Sequence, residues 1–488
     1  MAEGADDATV RKLADLVTEG GFKWVTDYLT IGNARSMTPE QVQARFDPLP
    51  PRCVQYAELL READVSLLVR LDPFPWEPWN GAAEYSYEED SPDMQRAAAF
   101  VRACVRQLKP YVNHWQIWNE PNIGNQAPHI TPENYVKVVR FLAGIICREQ
   151  PDAVIYGPGT AMLQCLDEYP YPWIPRALEA GLADEIDVFS YHPYRAPAWR
   201  HNIPENASQF YPWTWWEDYR DQVADLRQQI RDHNDGYDLP LATTEDGLTN
   251  VIDGNGEQQI SWVVGAKYEL RRALLDFELG VYPRTQFCLY RPARELSYDK
   301  QATFSIVTAD FQKKPQYLAS QNLNAVLDSR YTLDEDAPVT VEVTGPRRTL
   351  SVNPHNPQES VTSSDGSTTA ATPPLYQQVY RRETPEFEEM LVFFWSAEPS
   401  GDVHIRYPAR MEITEQGWQA PLQIDLMAMP AKRPKNEIVE LIRSDFVDRR
   451  DPEQLQALAT PYGVLLRDIE VRDYPLLIKW IRPKTIAH

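Results

Sequence analysis

The sequence predicts an α/β fold, a (β/α)8 TIM barrel followed by a C-terminal β-sandwich. Three observations predict it. Up to about residue 325, helix-spaced apolar segments alternate with short β-rich runs, the pattern of parallel strands joined by covering helices. That alternation continues over roughly 300 residues, the span of a closed barrel. Beyond residue 330 the helical period stops and short strands separated by turn residues remain, as in a sandwich. The expected domains are a barrel over residues 1–327 and a sandwich over 328–488.

Val10–Val17 has helical spacing and runs through Gly20-Gly21 into the strand Phe22–Leu29. Tyr56–Arg61 is helical, and Ser66–Asp72 is apolar enough to be a buried strand. The same alternation gives helix Ala97–Leu108 and strand His114–Asn119, then helix Tyr135–Arg148 and strand Ala153–Gly157. Helix Ile174–Ala180 precedes strand Ile186–His192, and helix Tyr219–Asp232 precedes strand Leu239–Glu245. Helix Trp262–Phe277 leads to a last strand over Thr285–Tyr290. Seven strands are counted where eight are needed, because the chain opens on a helix. Either a strand precedes residue 1 or another segment fills the gap. In the second domain Val339–Val343, Gln378–Arg381, Met390–Trp395, Val403–Arg406, Leu422–Leu426, Gly463–Leu466 and Leu476–Ile481 read as strands. Between them Gln358–Pro374, rich in Ser and Thr, reads as a surface loop, and the charged Asn436–Leu458 has room for a short helix.

The 488 residues carry 48 Lys+Arg against 71 Asp+Glu, a net charge of -23. Phosphate backbones and anionic membranes would repel such a chain, so neither nucleic acid nor membrane is an expected partner. No apolar run approaches a membrane span. The opening residues lack the basic and apolar regions of an export signal; a cytoplasmic protein and a secreted one with its signal trimmed both fit. Five scattered cysteines show no paired spacing, which argues against a disulfide framework or structural zinc. The sequence has no HExxH, Walker or GxGxxG motif and no Gly-x-Ser-x-Gly elbow, so no cofactor or metal is expected. Oligomeric state is not readable.

The chemistry is concentrated at two strand ends. In Trp115–Asn122 a β-rich run ends at Asn119-Glu120, and Pro121 stops further pairing. In Thr243–Gly247 a second carboxylate, Glu245, closes a strand before a glycine turn. The carboxyl ends of barrel strands form the catalytic face. The two glutamates stand three strands apart, so they face each other across the mouth. A carboxylate pair there suits glycosidic bond cleavage, one group protonating the leaving oxygen and the other attacking the anomeric carbon.

Trp-Asn-Glu-Pro-Asn over 118–122 and Thr-Glu-Asp-Gly over 244–247 resemble the signature of clan A retaining glycoside hydrolases. Ser190-Tyr-His-Pro-Tyr194 and the trailing sandwich make the layout similar to the xylosidase/iduronidase-like, family 39-like branch, as does Val471–Pro475 near the end. The resemblance implies Glu120 as acid/base, Glu245 as nucleophile and Asn119 on the sugar 2-hydroxyl. His192 reads equally as a satisfied core histidine or as a contact to substrate or nucleophile, and Tyr194 equally as a structural residue or as one that positions Glu245 through its hydroxyl. It covers nearly the whole chain in layout and is specific at Asn119 and the two glutamates. Many members end strand two in an Arg bonded to the nucleophile. Here Thr26 holds that place, and Arg70 on the next strand is the candidate replacement. Where the clan often has a Trp ending strand eight, this chain has Tyr290-Arg291.

Trp76 and Trp79 follow the third strand of that scheme, and Trp213 lies in an aromatic run after the sixth, placing flat rings where pyranosides stack. A local aromatic core pinning long loops would use the same residues. Asp72, Asp246 and Arg291 read as solvated or structural. The expected substrate is a carbohydrate with a β-linked glycosidic bond. A carbohydrate-binding protein without turnover and a transglycosylase using the same site are the alternatives; the sugar, the linkage and exo or endo action stay open.

Overall fold

The computed structural model describes residues 6–74, 85–122, 130–161, 172–194, 214–248, 261–291, 304–353, 356–364, 375–396, 403–428 and 453–484. The chain forms two compact units, 1–196, 216–247 and 279–287 in the first, and 197–215, 248–278 and 288–488 in the second.

The first unit is built on seven parallel strands in sequential order: β1 (Trp24–Thr30), β2 (Ser66–Asp72), β3 (His114–Ile117), β4 (Val154–Ala161), β5 (Val188–His192), β6 (Leu241–Thr243) and β7 (Val281–Arg284). Every neighbouring pair is parallel, and each strand order step is joined through a helix-bearing connection, so this is the barrel fold. The helices are α1 (Asp7–Glu19), α2 (Pro39–Phe46), α3 (Pro51–Glu62), α4 (Pro92–Leu108), α5 (Pro132–Glu149), α6 (Trp173–Glu179), α7 (Thr214–Asp232), α8 (Trp262–Glu278) and α9 (Pro315–Val326). Local chemistry starts several of them: Ser91 and Thr131 accept a backbone N–H of the first turn, and Pro92 and Pro132 supply a preset φ just inside. α2 and α9 have no counterpart in the sequence reading; α2 is short, with only Val42 and Phe46 buried.

The last parallel strand corrects an expectation. It is Val281–Arg284, not Thr285–Tyr290, with Leu241 opposite Val281 and Thr243 opposite Arg284. Pro283 and an exposed Tyr282 broke the apolar run that a buried strand should show. The carbonyl and amide of Cys288 bond instead to Ile306 and Phe304. The sheet's two edges meet through side chains. Thr26 Oγ1 lies 2.9 Å from Thr285 Oγ1, and Trp24 Nε1 donates to the Tyr282 hydroxyl at 2.5 Å. A seven-stranded sheet thus curls until its ends touch, with no backbone ladder between them among the described residues.

The second unit holds α8, α9 and two antiparallel sheets made from β8 (Thr332–Leu333), β9 (Val339–Val343), β10 (Arg348–Asn353), β11 (Asn356–Ser364), β12 (Leu375–Glu383), β13 (Phe387–Ser396), β14 (Val403–Ile413), β15 (Gln419–Asp425), β16 (Glu453–Gln454), β17 (Leu458–Ala459), β18 (Val464–Arg472) and β19 (Leu476–Pro483). One sheet runs β11-β10-β14-β18-β17 with β9 on β14; the other runs β16-β15-β19-β13-β12-β8. Met390–Trp395 is buried on both faces of β13 and centres the core. All seven strands read from the sequence are present. Part of the expected loop is not a loop: Asn356–Ser364 is a strand that pairs antiparallel with β10. The rest of that loop, 365–374, and most of 436–458 lie outside the described residues.

One buried ion pair ties α8 to the end of β18. Lys267 Nζ lies 2.7 Å from Asp473 Oδ2, both side chains fully buried, while Asp473 Oδ1 accepts the Ile405 N–H. Removing one partner of such a pair costs about 3–5 kcal/mol, because the other charge loses its compensation in a dry site. Asp473→Asn should therefore lower Tm by roughly 10 °C in a thermal unfolding scan.

Among the described residues no helix is long and apolar enough to cross a membrane.

Candidate active site

The carboxyl ends of β2, β3, β5 and β6 bring seven side chains together. Arg70 and Asp72 sit two apart on β2, so they share a face. Asn119 and Glu120 follow β3, His192 ends β5 with Tyr194 just beyond, and Glu245 follows β6.

The backbone after β3 is unusual. Trp118 has φ 74° and Glu120 φ 45°, both left-handed and unfavourable for residues with a Cβ. Such conformations cost about 1–3 kcal/mol each and persist only where surrounding bonds enforce them. Here the Trp118 N–H donates to the Leu71 carbonyl and the Glu120 N–H to that of Gly159. Asn122 bonds Ala161 twice, accepting its N–H and donating to its carbonyl.

Glu120 is almost wholly buried, and its Oε1 lies 2.9 Å from His192 Nδ1. An ionised carboxylate only accepts, so Nδ1 carries the proton in that state, and this bond engages Oε1 rather than Oε2. Among the described residues His192 Nε2 is buried without a hydrogen-bond partner.

Glu245 is held from two sides. Arg70 donates to Oε2 at 3.3 Å and the Tyr194 hydroxyl to Oε1 at 3.0 Å. Arg70 also donates to Asn119 Oδ1 at 2.6 Å and pairs with Asp72 at 3.2 Å. Because guanidinium is only a donor, Asn119 must turn its oxygen to Arg70, leaving the Nδ2 amide as a donor. One oxygen each of Glu120 and Glu245 and one ring nitrogen of His192 lie within 4.8 Å of one another.

Burial raises the Glu245 pKa above the usual 4.5; His192 and Arg70 pull it down and Glu120 pushes it up. Burial also raises Asp72, against the pull of Arg70. Tyr194 stands well above its ordinary value, through burial first and then Glu245, so its hydroxyl stays protonated as a donor. For Arg70, burial opposes the charge, but Asp72 and Glu245 more than offset it.

Glu120, His192 and Glu245 form the one group among the described residues whose donor atoms converge closely enough for a cation. Arg70, a fixed positive charge 3.3 Å from Glu245, opposes one there.

The structure thus joins Glu120, Glu245, Asn119, His192, Tyr194 and Arg70. Tyr290 belongs to the second unit, where it stacks on Phe311 at 4.4 Å. Trp76, Trp79 and Trp213 lie outside the described residues. Two carboxylates read as solvated or structural are buried. Asp72 anchors Arg70, and Asp246 accepts from Arg284 at 3.0 Å. The Arg-x-Asp spacing on a buried strand was the available signal for the first, since residues two apart share a face.

The sequence matches no protein-family profile and no curated protein. Solved structures do share the fold. A family 39 glycoside hydrolase from the gut symbiont Bacteroides cellulosilyticus WH2 is 15% identical with a TM-score of 0.56, covering 98% of this chain and 79% of its own. A monomeric β-xylosidase from Caulobacter crescentus CB15 is 14% identical at 0.53, covering 98% of this chain and 94% of its own. A family 51 α-L-arabinofuranosidase from Bifidobacterium longum is 12% identical at 0.55, covering 98% of this chain and 91% of its own.

Proposed function

We propose that this chain is a retaining glycoside hydrolase that cleaves β-linked glycosides by double displacement. The observation that carries the reading is the approach of Glu120 and Glu245, with oxygens within 4.8 Å of each other at the ends of β3 and β6. Retaining enzymes hold their carboxyl groups about 5–5.5 Å apart, whereas inverting ones need roughly 6.5–9.5 Å to admit a water. Enzymes on the same fold that act on xylosides and arabinofuranosides lend further support.

In this reading Glu245 attacks the anomeric carbon while Glu120 protonates the departing oxygen. Glu120 then takes a proton from the water that releases the glycosyl-enzyme. Arg70 and Tyr194 aim the two oxygens of Glu245, and Asn119 Nδ2 is free to donate to the sugar 2-hydroxyl.

A panel of 4-nitrophenyl β-xyloside, β-glucoside and α-L-arabinofuranoside tests the activity, and NMR of the first-formed sugar tests the stereochemistry. Release of nitrophenol with retained configuration is expected. Binding without release would leave a carbohydrate-binding protein, and inverted product would overturn the double displacement.

The pH profile gives a further expected result. Attack needs ionised Glu245, whose pKa is raised, so activity should fall on the acid side at a pH above the ordinary glutamate value of 4.5. Arg70 favours the ionised form. Arg70→Met should lower kcat/KM by roughly 10²-fold or more and move that acid limb to higher pH. A limb that stayed in place would mean another group sets it.

A further inference from the structure

Three bonds hold the strained turn that presents Glu120, and one comes from a side chain without a role so far. Gln116, in the middle of β3, is fully buried, and its Nε2 donates to the Trp118 carbonyl at 3.0 Å. Its Oε1 accepts from Ser190 Oγ at 3.4 Å, and that hydroxyl accepts the Gly159 N–H at 3.0 Å. The Gly159 carbonyl in turn receives the Glu120 N–H at 2.9 Å. The chain of bonds therefore starts on the Trp118 backbone, crosses β3, β5 and β4, and returns to the Glu120 backbone.

Gly159 makes the circuit possible. At φ 61° it favours glycine, and a Cβ there would stand 2.4 Å from Gln116 Nε2. The ladder between β3 and β4 ends at Gln116 opposite Tyr156, so the Trp118 carbonyl has no strand partner in that register. A buried carbonyl without a donor is costly, and Gln116 supplies the donor.

Resting on the glycosidase reading above, we infer that Gln116 and Ser190 are positioning residues for Glu120. They fix the left-handed backbone at Trp118 and Glu120, which points the Glu120 carboxyl at His192 Nδ1 and across the mouth toward Glu245. Glu245 hangs from β6 and is aimed by Arg70 and Tyr194, outside this circuit. Loss of the circuit should therefore disturb proton donation and leave attack nearly intact.

The test is kcat/KM for 2,4-dinitrophenyl and unsubstituted phenyl glycosides of whichever sugar the wild type accepts, measured for Gln116→Leu and Ser190→Ala with thermal melts alongside. A dinitrophenolate leaves with little acid help, and phenol does not. The phenyl glycoside should lose about 10-fold or more, within the roughly 10²–10⁴ that acid–base help is worth, while the dinitrophenyl glycoside stays within about threefold. Ser190→Ala removes a single hydroxyl and adds no bulk, so it decides the matter if Gln116→Leu does not fold. Equal losses on both substrates, or none on either, would overturn the positioning role while leaving the glycosidase reading standing. A wild type inactive on every glycoside would overturn both.

Discussion

Glu245→Ala should abolish turnover of every glycoside, whatever the leaving group. No covalent intermediate forms without the attacking carboxylate, and no acid help from Glu120 replaces it. The loss in kcat should be on the order of 10⁶-fold, the scale seen when the nucleophile is taken from a covalent hydrolase. Truncation leaves space beside Arg70 and Tyr194, both donors to the missing carboxylate. Azide, a small anion, should enter that space, attack from the same face, and restore cleavage of activated substrates. Its product should be the inverted glycosyl azide, identified by NMR. If azide restored nothing and the variant kept activity, Glu245 would not be the nucleophile.

Glu120→Ala should give a graded loss. With a poor leaving group, departure needs a proton, and kcat/KM should fall by roughly 10²–10⁴-fold. With a dinitrophenolate the first step survives, but the base that activates water is gone. The glycosyl-enzyme should then accumulate, seen as a burst of phenolate followed by slow turnover. Azide needs no base, so it should discharge the intermediate and yield the retained glycosyl azide. The two variants thus give azides of opposite configuration, and an exchange of products between them would exchange the roles of the two glutamates.

Much of the fold and the placing of the two glutamates were legible from local pattern. Ser66–Asp72 is a nearly continuous apolar run because its strand is buried on both faces, and α4 and α5 show helical spacing because one stripe of each is buried. Glu120 and Glu245 could be put at strand ends because Pro121 and Gly247 end the strands beside them. Where a strand lacks an unbroken apolar run, the signal fails. Val281–Arg284 carries an exposed tyrosine and a proline, so the expected strand slipped to the apolar residues that follow.

By itself, then, the sequence determined the order of strands and helices, the change from parallel barrel to antiparallel sheets, and which carboxylates stand at strand ends. Periodicity and turn residues act within a few positions of one another, and one chain suffices to read them. Only the tertiary structure decided that Arg70 reaches Glu245 across 175 residues, that His192 Nδ1 bonds Glu120, and that Trp118 and Glu120 turn left-handed. It also decided that Thr26 and Thr285 meet where the eighth strand was sought. These contacts depend on how far the sheet curls and which strand ends it brings level. Curl is the summed twist of every strand and every helix packed on it, so no short stretch of sequence records it.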